Sequence, residues 1–295
     1  MTHAIPGFFA QAYAPATVPS LARLAVAAAR MRRLGLVAFQ EPAPLPPELL
    51  RGLHADHYID AFLTGSEPLA SSQGLPWSPA MRDATLAMLG GQLAAAQHAL
   101  RHGIALNLAR GFHHAVPERG SGYCPVNGLA LVAHAMPERR IFVIDCDEHG
   151  GDGTEEFAAL LPNLYAATVF GTRFGCRGGE RAWAWEAKVW RDGFQTYERA
   201  LAGVFECIDQ VRPDLVLYQA GVDCHANDPK GRSGLSTAQL FRRDLFVFSA
   251  LAERALPVVF VVAGGYQDPV RVARLNCNTV RAARRARQIA RAGVD

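Results

Sequence analysis

A segment of alternating acidic and imidazole side chains, Asp-Cys-Asp-Glu-His at 145–149, follows an apolar run of the chain. In an extended segment alternate residues point the same way, so Asp145, Asp147 and His149 are expected to share a side. Carboxylate oxygen and imidazole nitrogen together suit zinc or iron(II). Asp223, which ends another apolar run, can supply a further ligand, and three protein ligands leave an open position for water. The alternative is a set of turn-forming aspartates beside a hydrogen-bonded histidine.

Two adjacent histidines, His113 and His114, follow a different apolar run. Hydrolysis by an activated water needs a base for the water proton and an acid for the leaving amine. Adjacent histidines can supply both groups, and a carboxylate behind each ring would fix its tautomer. Asp145 and Asp152 are available for that role. The alternative is a pair of structural histidines, one buried and one exposed.

A tyrosine follows two glycines at Gly264-Gly265-Tyr266. The glycines let the backbone turn sharply and approach a ligand closely. The hydroxyl of Tyr266 can then donate to a developing oxyanion. The alternative is an ordinary turn followed by a tyrosine that packs against the core.

These side chains need elements that bring them together, and short apolar runs rich in β-branched residues alternate with helical patterns along the chain. Such continuous runs predict strands covered on both faces, as in a parallel sheet. We predict strands at 104–109, 141–145, 165–171, 215–220 and 258–263, and helices at 80–101, 127–135, 155–161, 186–210, 237–254 and 269–292. Ser236 and Asp268 are expected as N-caps. The alternation predicts an α/β fold with a central parallel sheet.

The polar residues described above follow four of the five predicted strands. In an open parallel sheet, ligands bind just beyond the carboxyl ends of the strands. The metal ligands, the histidine pair and the tyrosine are therefore expected to meet at one edge of the sheet.

Composition bounds the remaining function classes. The chain has 295 residues, 50% of them apolar and 19% charged, which is typical of a globular protein, and we predict one domain over residues 1–295. A net charge of +3 does not suggest a nucleic-acid partner. No transmembrane run or signal-peptide pattern is recognised, so no membrane association and a cytoplasmic location are expected. The six cysteines form no CxxC pair and are expected as reduced thiols.

Five motifs together resemble the histone deacetylase family, including its bacterial relatives and the acetylpolyamine amidohydrolases. Their order and spacing are similar to those of the family through the C-terminal two thirds of the chain. The motifs are GFHHA at 111–115, SGYCPVNG at 121–128, DCDEHGGDGTEEF at 145–157, QAGVDCHANDP at 219–229 and AGGY at 263–266. The segment 53–58 resembles the upstream helix of the family more weakly, and ATVFG at 167–171 is similar to the class IV branch.

The resemblance implies a three-layer arginase–deacetylase fold around a central, mostly parallel sheet of about eight strands. It implies that Zn²⁺ is bound by Asp147, His149 and Asp223. It also allows K⁺ as a second ion near the backbone around Asp145 and His149.

The resemblance further implies roles for the remaining motif residues. His113 and His114 would act as the base and acid pair, with Asp145 and Asp152 behind them. Tyr266 would polarise the scissile carbonyl and stabilise the oxyanion. The dipeptide Gly122-Tyr123 would line one wall of the acyl-lysine tunnel, where the family usually has Gly-Phe.

The sequence departs from the family where the substrate would enter. A His-Pro loop is not recognisable near the N-terminus, a Trp-rich stretch replaces the usual rim loop at 174–190, and Lys230-Gly231-Arg232 belongs to this chain alone. The resemblance therefore implies removal of acyl groups from lysine side chains or small amines, with the acyl length, the partner and the oligomeric state left open. Glu41, Asp56 and Asp60 are the candidates to bind a polyamine tail, although they form no evident cluster.

Two other functions remain as alternatives. An arginase-like ureohydrolase shares the fold, but it uses two manganese ions and more carboxylates. The tandem His113-His114 with Tyr266 favours a deacylase with one metal ion. A non-catalytic protein that binds acylated ligands or a partner would not need the acid, the base and the oxyanion donor together. Metal stoichiometry separates the first alternative, and binding without turnover identifies the second.

Overall fold

A sheet of eight parallel strands forms the centre of the protein in a computed structural model that describes residues 4–292. The strands are β1 (Ile5–Phe8), β2 (Val37–Gln40), β3 (Ile104–Asn107), β4 (Ile141–Asp145), β5 (Leu164–Phe170), β6 (Ala182–Glu186), β7 (Leu215–Gln219) and β8 (Val258–Val261). Their order across the sheet is β2-β1-β3-β8-β7-β4-β5-β6. All five predicted strands form, and the predicted α/β class is confirmed.

Helices cover the sheet in two groups. Those within residues 4–292 are α1 (Ala22–Arg33), α2 (Asp56–Thr64), α3 (Pro79–His102), α4 (Gly128–Ala135), α5 (Asp152–Leu160), α6 (Val189–Asp192), α7 (Phe194–Val211), α8 (Thr237–Glu253) and α9 (Pro269–Ala292). Helices α7, α8, α9 and α1 pack in succession, and α3, α4 and α5 form the second group. The central strands β4, β7 and β8 are buried along their whole length, as expected when helices cover both faces.

Two helices begin at the predicted capping residues. The Ser236 hydroxyl accepts a hydrogen bond from the backbone N–H of Gln239 (3.3 Å), and the Gln239 side chain accepts one from the N–H of Ser236 (2.8 Å). This reciprocal pair is a capping box at the start of α8. Before α9, the Asp268 carboxylate accepts from the N–H groups of Val270 (3.0 Å) and Arg271 (3.3 Å). Both predicted N-caps are confirmed.

The predicted helix at 186–210 is wrong in its first part. Residues 182–186 form the edge strand β6, which pairs with β5. Their Ala-Trp-Ala-Trp alternation has the two-residue period of a strand, so Trp183 and Trp185 pack on the core from one face. The rest of the segment divides into α6 and α7 at Gly193, whose φ of +77° interrupts the helix. Strands β1, β2 and β6 were not predicted. Pro6 and Gly7 interrupt the apolar run of β1, and Val37 is the one buried residue of β2.

The register of the sheet brings the carboxyl ends of its central strands level with one another. Asp145 at the end of β4 pairs with Gln219 at the end of β7. Gln219 pairs in turn with Val261 of β8, and Val261 pairs with Asn107 of β3. The segments that follow these four strands therefore emerge side by side, at the edge where the sequence predicts the site.

One apolar core extends through the sheet and both helix groups. All six cysteines are buried and none is joined in a disulfide. Within residues 4–292, no helix combines the length and the apolar character that crossing a membrane requires.

A fully buried arginine joins the loops that leave β4 and β7. Arg243 Nη1 donates hydrogen bonds to the carbonyl oxygens of Cys146 (2.9 Å) and Gly221 (2.8 Å). The guanidinium also pairs with Asp244 (2.7 Å), and Asp244 accepts a hydrogen bond from the hydroxyl of Tyr218 (2.6 Å). This network holds together two loops that carry predicted metal ligands.

Replacing Arg243 by leucine would leave the buried Asp244 carboxylate unpaired and two carbonyl groups without a donor. We expect Arg243→Leu to lower the free energy of unfolding by about 3–5 kcal/mol, measured by urea denaturation. The control is Arg242→Leu, because the Arg242 side chain is 66% exposed and its contacts, an ion pair with Glu198 and a contact with the Phe194 ring, lie at the surface. That change is expected to cost less than about 1 kcal/mol. Equal losses in the two variants would contradict a structural role for the buried pair.

Candidate active site

Asp147, His149 and Asp223 form a compact cluster at the carboxyl edge of the sheet. The first two residues follow β4, and Asp223 follows β7. His149 Nδ1 lies 3.4 Å from Asp147 Oδ1 and 3.4 Å from Asp223 Oδ2. One potential ligand atom from each residue lies within 4.8 Å of the others, and both carboxylates are buried. The structure thus brings together the three predicted metal ligands.

Backbone amides hold both carboxylates of the cluster. Asp147 Oδ2 accepts a hydrogen bond from the N–H of Gly264 (2.8 Å), and Asp223 Oδ1 accepts one from the N–H of Glu148 (3.0 Å). The second oxygen of Asp223, Oδ2, is buried and has no hydrogen-bond partner. A buried carboxylate oxygen without a partner is unfavourable, and a cation at the cluster would satisfy it.

The electrostatics of the cluster also fit a cation. Burial and the adjacent Asp147 raise the pKa of the Asp223 carboxyl above its ordinary value. Burial lowers the pKa of His149, but the adjacent carboxylates of Asp147 and Asp223 outweigh that effect and raise the pKa to about 10. When no metal is bound, these raised pKa values favour protons that offset part of the carboxylate charge. A divalent ion would replace them, and two carboxylates with one imidazole suit zinc.

Gly264 leaves the space that the cluster requires. A Cβ at this position would lie 2.1 Å from Asp223 Oδ2 and 2.6 Å from Asp147 Oδ2. Both contacts are too close for any side chain, and the carboxylates are held by the backbone. The glycine predicted to allow close approach to a ligand therefore lies directly beside the candidate ligand atoms.

His113 and His114 each turn one ring nitrogen toward a carboxylate. His113 Nδ1 lies 2.7 Å from Asp145 Oδ2, and His114 Nδ1 lies 2.6 Å from Asp152 Oδ1. His113 Nε2 faces the metal cluster, 3.9 Å from Asp147 Oδ1. Asp145 therefore orients His113 and stays outside the ligand set, although it was expected to share a side with the ligands. The structure therefore brings together the two predicted acid–base histidines and the two carboxylates predicted to lie behind them.

The two histidines differ in their electrostatic surroundings. Burial lowers the pKa of His113, but the carboxylates of Asp145 and Asp147 more than compensate and raise it to about 9. Burial and the neighbouring His113 lower the pKa of His114 to about 4, against the opposite effect of Asp152. Adjacent rings, with centroids 3.8 Å apart, thus favour opposite protonation states.

A cavity of about 320 Å³ opens over the cluster and is lined by His113, Asp147, Gly122, Tyr123 and Tyr266. The ring centroids of Tyr123 and Tyr266 lie 6.2 Å apart. Gly122 has a φ of +49°, and a Cβ there would lie 2.3 Å from the His114 ring. The glycine therefore lets the wall of the cavity pack directly on the histidine. The structure places the predicted wall residues and the predicted oxyanion donor in the same cavity.

Four further residues contribute to this site without having been assigned a role from the sequence. Phe174 has its ring centroid 4.0 Å from that of His114 and 5.7 Å from that of His149. Arg23, Arg110 and Lys230 line the cavity. Arg23 lies in α1 and donates to the carbonyl of Ala263 (2.5 Å), a contact across 240 positions that no local pattern reveals. Lys230 could be noticed in the sequence, because the tripeptide Lys230-Gly231-Arg232 departs from the family pattern.

Comparisons with known proteins agree on one family. A family profile described as histone deacetylase domain matches residues 18–283. An uncharacterized protein of Picosynechococcus sp. is 36% identical over 226 residues, which cover 72% of this chain and 74% of that protein. Histone deacetylase 2 of Arabidopsis thaliana is 31% identical over 190 residues, which cover 60% of this chain and 48% of that protein. The matched region thus spans about half of the plant protein.

A solved structure shows the same fold. The crystal structure of acetylpolyamine aminohydrolase from Burkholderia pseudomallei superposes with a TM-score of 0.78 over 95% of this chain and 98% of that one. The sequence identity is 17%. At that identity the similarity establishes the architecture, and it confirms the predicted arginase–deacetylase type of fold.

The cluster is expected to bind one zinc ion per chain, measured by mass spectrometry of the metal after dialysis. His149→Ala removes one of the three ligands. Loss of a residue that only hydrogen-bonds to a metal ligand typically lowers metal affinity by roughly 10–100-fold, so the zinc affinity of His149→Ala should fall by more than that. His57→Ala is the control, because His57 is exposed and forms its ion pair with Glu118 at the surface. Two tightly bound ions per chain would contradict this prediction and favour the arginase-like alternative.

Gly264→Ala is expected to abolish zinc binding, because the added methyl group would occupy the position of the ligand atoms. Circular dichroism should show the helical content retained, while a chromogenic chelator competes for the metal. In the matched variant Gly179→Ala, the new Cβ meets no atom within 4 Å. Normal zinc affinity in Gly264→Ala would show that the ion binds elsewhere.

Proposed function

The chain belongs to the histone deacetylase domain family, and on that premise we propose that it is a zinc-dependent amidohydrolase that removes acyl groups from lysine side chains or small amines. The observation that carries the proposal is a convergence in a single cavity. Asp147, His113 and Tyr266 line it. His149 and Asp223 lie against Asp147 in the candidate metal cluster, and the ring centroid of His114 lies 3.8 Å from that of His113. We further propose that residues 1–295 act as one catalytic domain.

Asp147, His149 and Asp223 would hold the zinc ion. When bound, zinc supplies Lewis-acid polarisation of the scissile carbonyl and of the attacking water. The protein orients its ligands through the backbone N–H groups of Gly264 and Glu148, which fix the two carboxylates. Three protein ligands leave room for the reacting groups. The K⁺ ion expected near Asp145 and His149 remains a prediction.

The histidine pair would move the protons of the reaction. His114 has its pKa lowered, so its neutral ring offers the lone pair of Nε2 as the base that takes the water proton. His113 has its pKa raised by Asp145 and Asp147, so its Nε2–H can donate to the leaving amine. The carboxylates on both Nδ1 atoms fix the tautomers that this assignment requires.

Tyr266 would donate a hydrogen bond to the oxyanion. Burial, together with the nearby Asp223 and Asp147, raises the pKa of its hydroxyl above the ordinary value. The phenol therefore keeps its proton and can act as a donor when negative charge develops on the carbonyl oxygen. Its backbone N–H is bound by Asp228 Oδ2 at 2.8 Å, which fixes the start of the side chain.

The site residues favour this proposal over the two alternatives. Asp145 and Asp152 bind the two histidines, so they do not supply a second metal site of the arginase type. A ligand-binding protein without catalysis would have no use for two oriented histidines and a protonated tyrosine beside the metal. Turnover is the observation that decides between an enzyme and a binder.

The proposal is tested with zinc-loaded protein on lysine peptides that carry acyl chains from acetyl to myristoyl and on acetylated polyamines. Tyr266→Phe is expected to lower kcat by about 10²–10³ while zinc stays bound, because one oxyanion donor is lost. Tyr165→Phe is the control, since Tyr165 lies in β5 and does not line the cavity. Absence of turnover of every substrate by protein that holds one zinc ion would overturn the proposal in favour of the binder.

A further inference from the structure

We infer that Lys230 makes this site select amides that carry a carboxylate close to the scissile bond. The inference rests on the proposed function and names the substrate class. Lys230 lies in the tripeptide that departs from the family pattern, and it lines the same cavity as Tyr266, His113 and Asp147. The structure therefore places a positive charge where an acylated amine would bind.

The Lys230 side chain extends across the cavity between its two aromatic walls. Its Nζ donates a hydrogen bond to the hydroxyl of Tyr123 at 2.8 Å. The same nitrogen lies 4.7 Å from the ring centroid of Tyr123 and 5.0 Å from that of Tyr266. Both distances are within the range of a cation–π contact. The charge is thus held beside the proposed oxyanion donor, at the wall predicted to contact substrate.

One carboxylate sets the position of Lys230 relative to Tyr266. Asp228 Oδ1 accepts the backbone N–H of Lys230 (3.0 Å), and Asp228 Oδ2 accepts that of Tyr266 (2.8 Å). The next residue, Gly231, also binds the Asp228 carbonyl (3.0 Å). Because the two segments share this anchor, the base of the Lys230 side chain is fixed with respect to the reacting centre.

The charge on Lys230 is not neutralised within the part of the chain that the structure describes. Its side chain contacts a hydroxyl and two rings, and no carboxylate among residues 4–292 forms an ion pair with it. Arg23 and Arg110 add two more positive charges to the cavity lining, and Arg23 Nη1 is buried without a hydrogen-bond partner. The only carboxylate of the lining is Asp147, a proposed metal ligand.

This balance of charge favours an anionic substrate and disfavours a cationic one. A carboxylate on a short chain can form a charge-assisted hydrogen bond with the Lys230 ammonium. A polyamine would bring a second cation against Lys230. The acidic residues considered for such a tail do not line the cavity, and Asp56 and Asp60 pair with Arg51 instead. The carboxylate could belong to the acyl group or to the amine, and these two sources are distinguished by experiment.

The test compares substrates that differ only in charge. The first pair is a glutaryl-lysine peptide and its carboxamide isostere, which places the charge on the acyl side. The second pair is N-acetyl-5-aminopentanoate and its amide, which places the charge on the amine side. For at least one pair, wild-type kcat/KM is expected to favour the anionic member by about 10-fold or more, the scale of one partly exposed charged contact.

In Lys230→Met, which removes the charge and keeps most of the side-chain length, that ratio is expected to fall to near 1. Lys230→Arg should retain it, which shows that a loss in the methionine variant comes from charge and not from misfolding. Arg232→Met removes an exposed positive charge two residues away, whose guanidinium donates a hydrogen bond to the Gly231 carbonyl, and should also retain the ratio. A wild-type ratio near 1 for both pairs, or a preference that survives Lys230→Met, would overturn the inference.

A binding experiment separates this inference from the proposed function. Calorimetry of the zinc-loaded protein compares glutarate with pentanoate, which has the same length and one carboxylate fewer. Tighter binding of glutarate by wild type, and its loss in Lys230→Met, supports the role of Lys230 even if no amide is hydrolysed. Hydrolysis of neutral acyl-lysines with equal binding of the two acids would support the function and overturn the role of Lys230.

Discussion

Two buried carboxylates at the ends of neighbouring strands constrain the rest of this structure. Asp147 and Asp223 repel each other in an apolar interior, and one oxygen of Asp223 has no hydrogen-bond partner. A site of this kind costs stability unless a cation fills it. The order β7-β4 in the sheet places both residues at one edge, so the fold itself creates a site that favours a cation.

Backbone N–H groups hold the two carboxylates in place, and further charged side chains surround them. The N–H group of Gly264 binds one oxygen of Asp147, and that of Glu148 binds one oxygen of Asp223. Arg243 joins the two loops that carry these aspartates. The same edge holds two histidines, each bound to its own carboxylate. A metal ion, a base and an acid that act on one carbonyl group would use all of these polar side chains. A catalytic function therefore explains more of the buried polar groups than a binding function does.

The central strands and the candidate site residues that follow them were predictable, because each is marked by a short local pattern in the sequence. A continuous apolar run such as 141–145 ends in polar residues, and the parallel register then brings four such ends to one edge. The edge strand β6 was not predicted, and its last residue, Glu186, was placed in the helix predicted at 186–210. The strand is short, lies at an edge of the sheet and lacks the β-branched residues that marked the buried strands. Arg23 and Phe174 reach the site through long-range contacts, which no spacing in the sequence encodes. Lys230 was noted in the sequence as a departure from the family pattern. Its charge pointed to a substrate class only once the structure showed its position between Tyr123 and Tyr266.

The central claim is that the Asp147–Asp223 pair is a site built for one cation, and thermal unfolding with and without zinc tests it most directly. Zinc at about 100 times its Kd should add roughly 2.7 kcal/mol to wild-type stability and raise Tm by several degrees. Metal-free Asp223→Asn, relieved of the charge repulsion, should unfold at or above the Tm of metal-free wild type and should not respond to zinc. An unchanged wild-type Tm, or an equal zinc response in Asp223→Asn, would contradict the account.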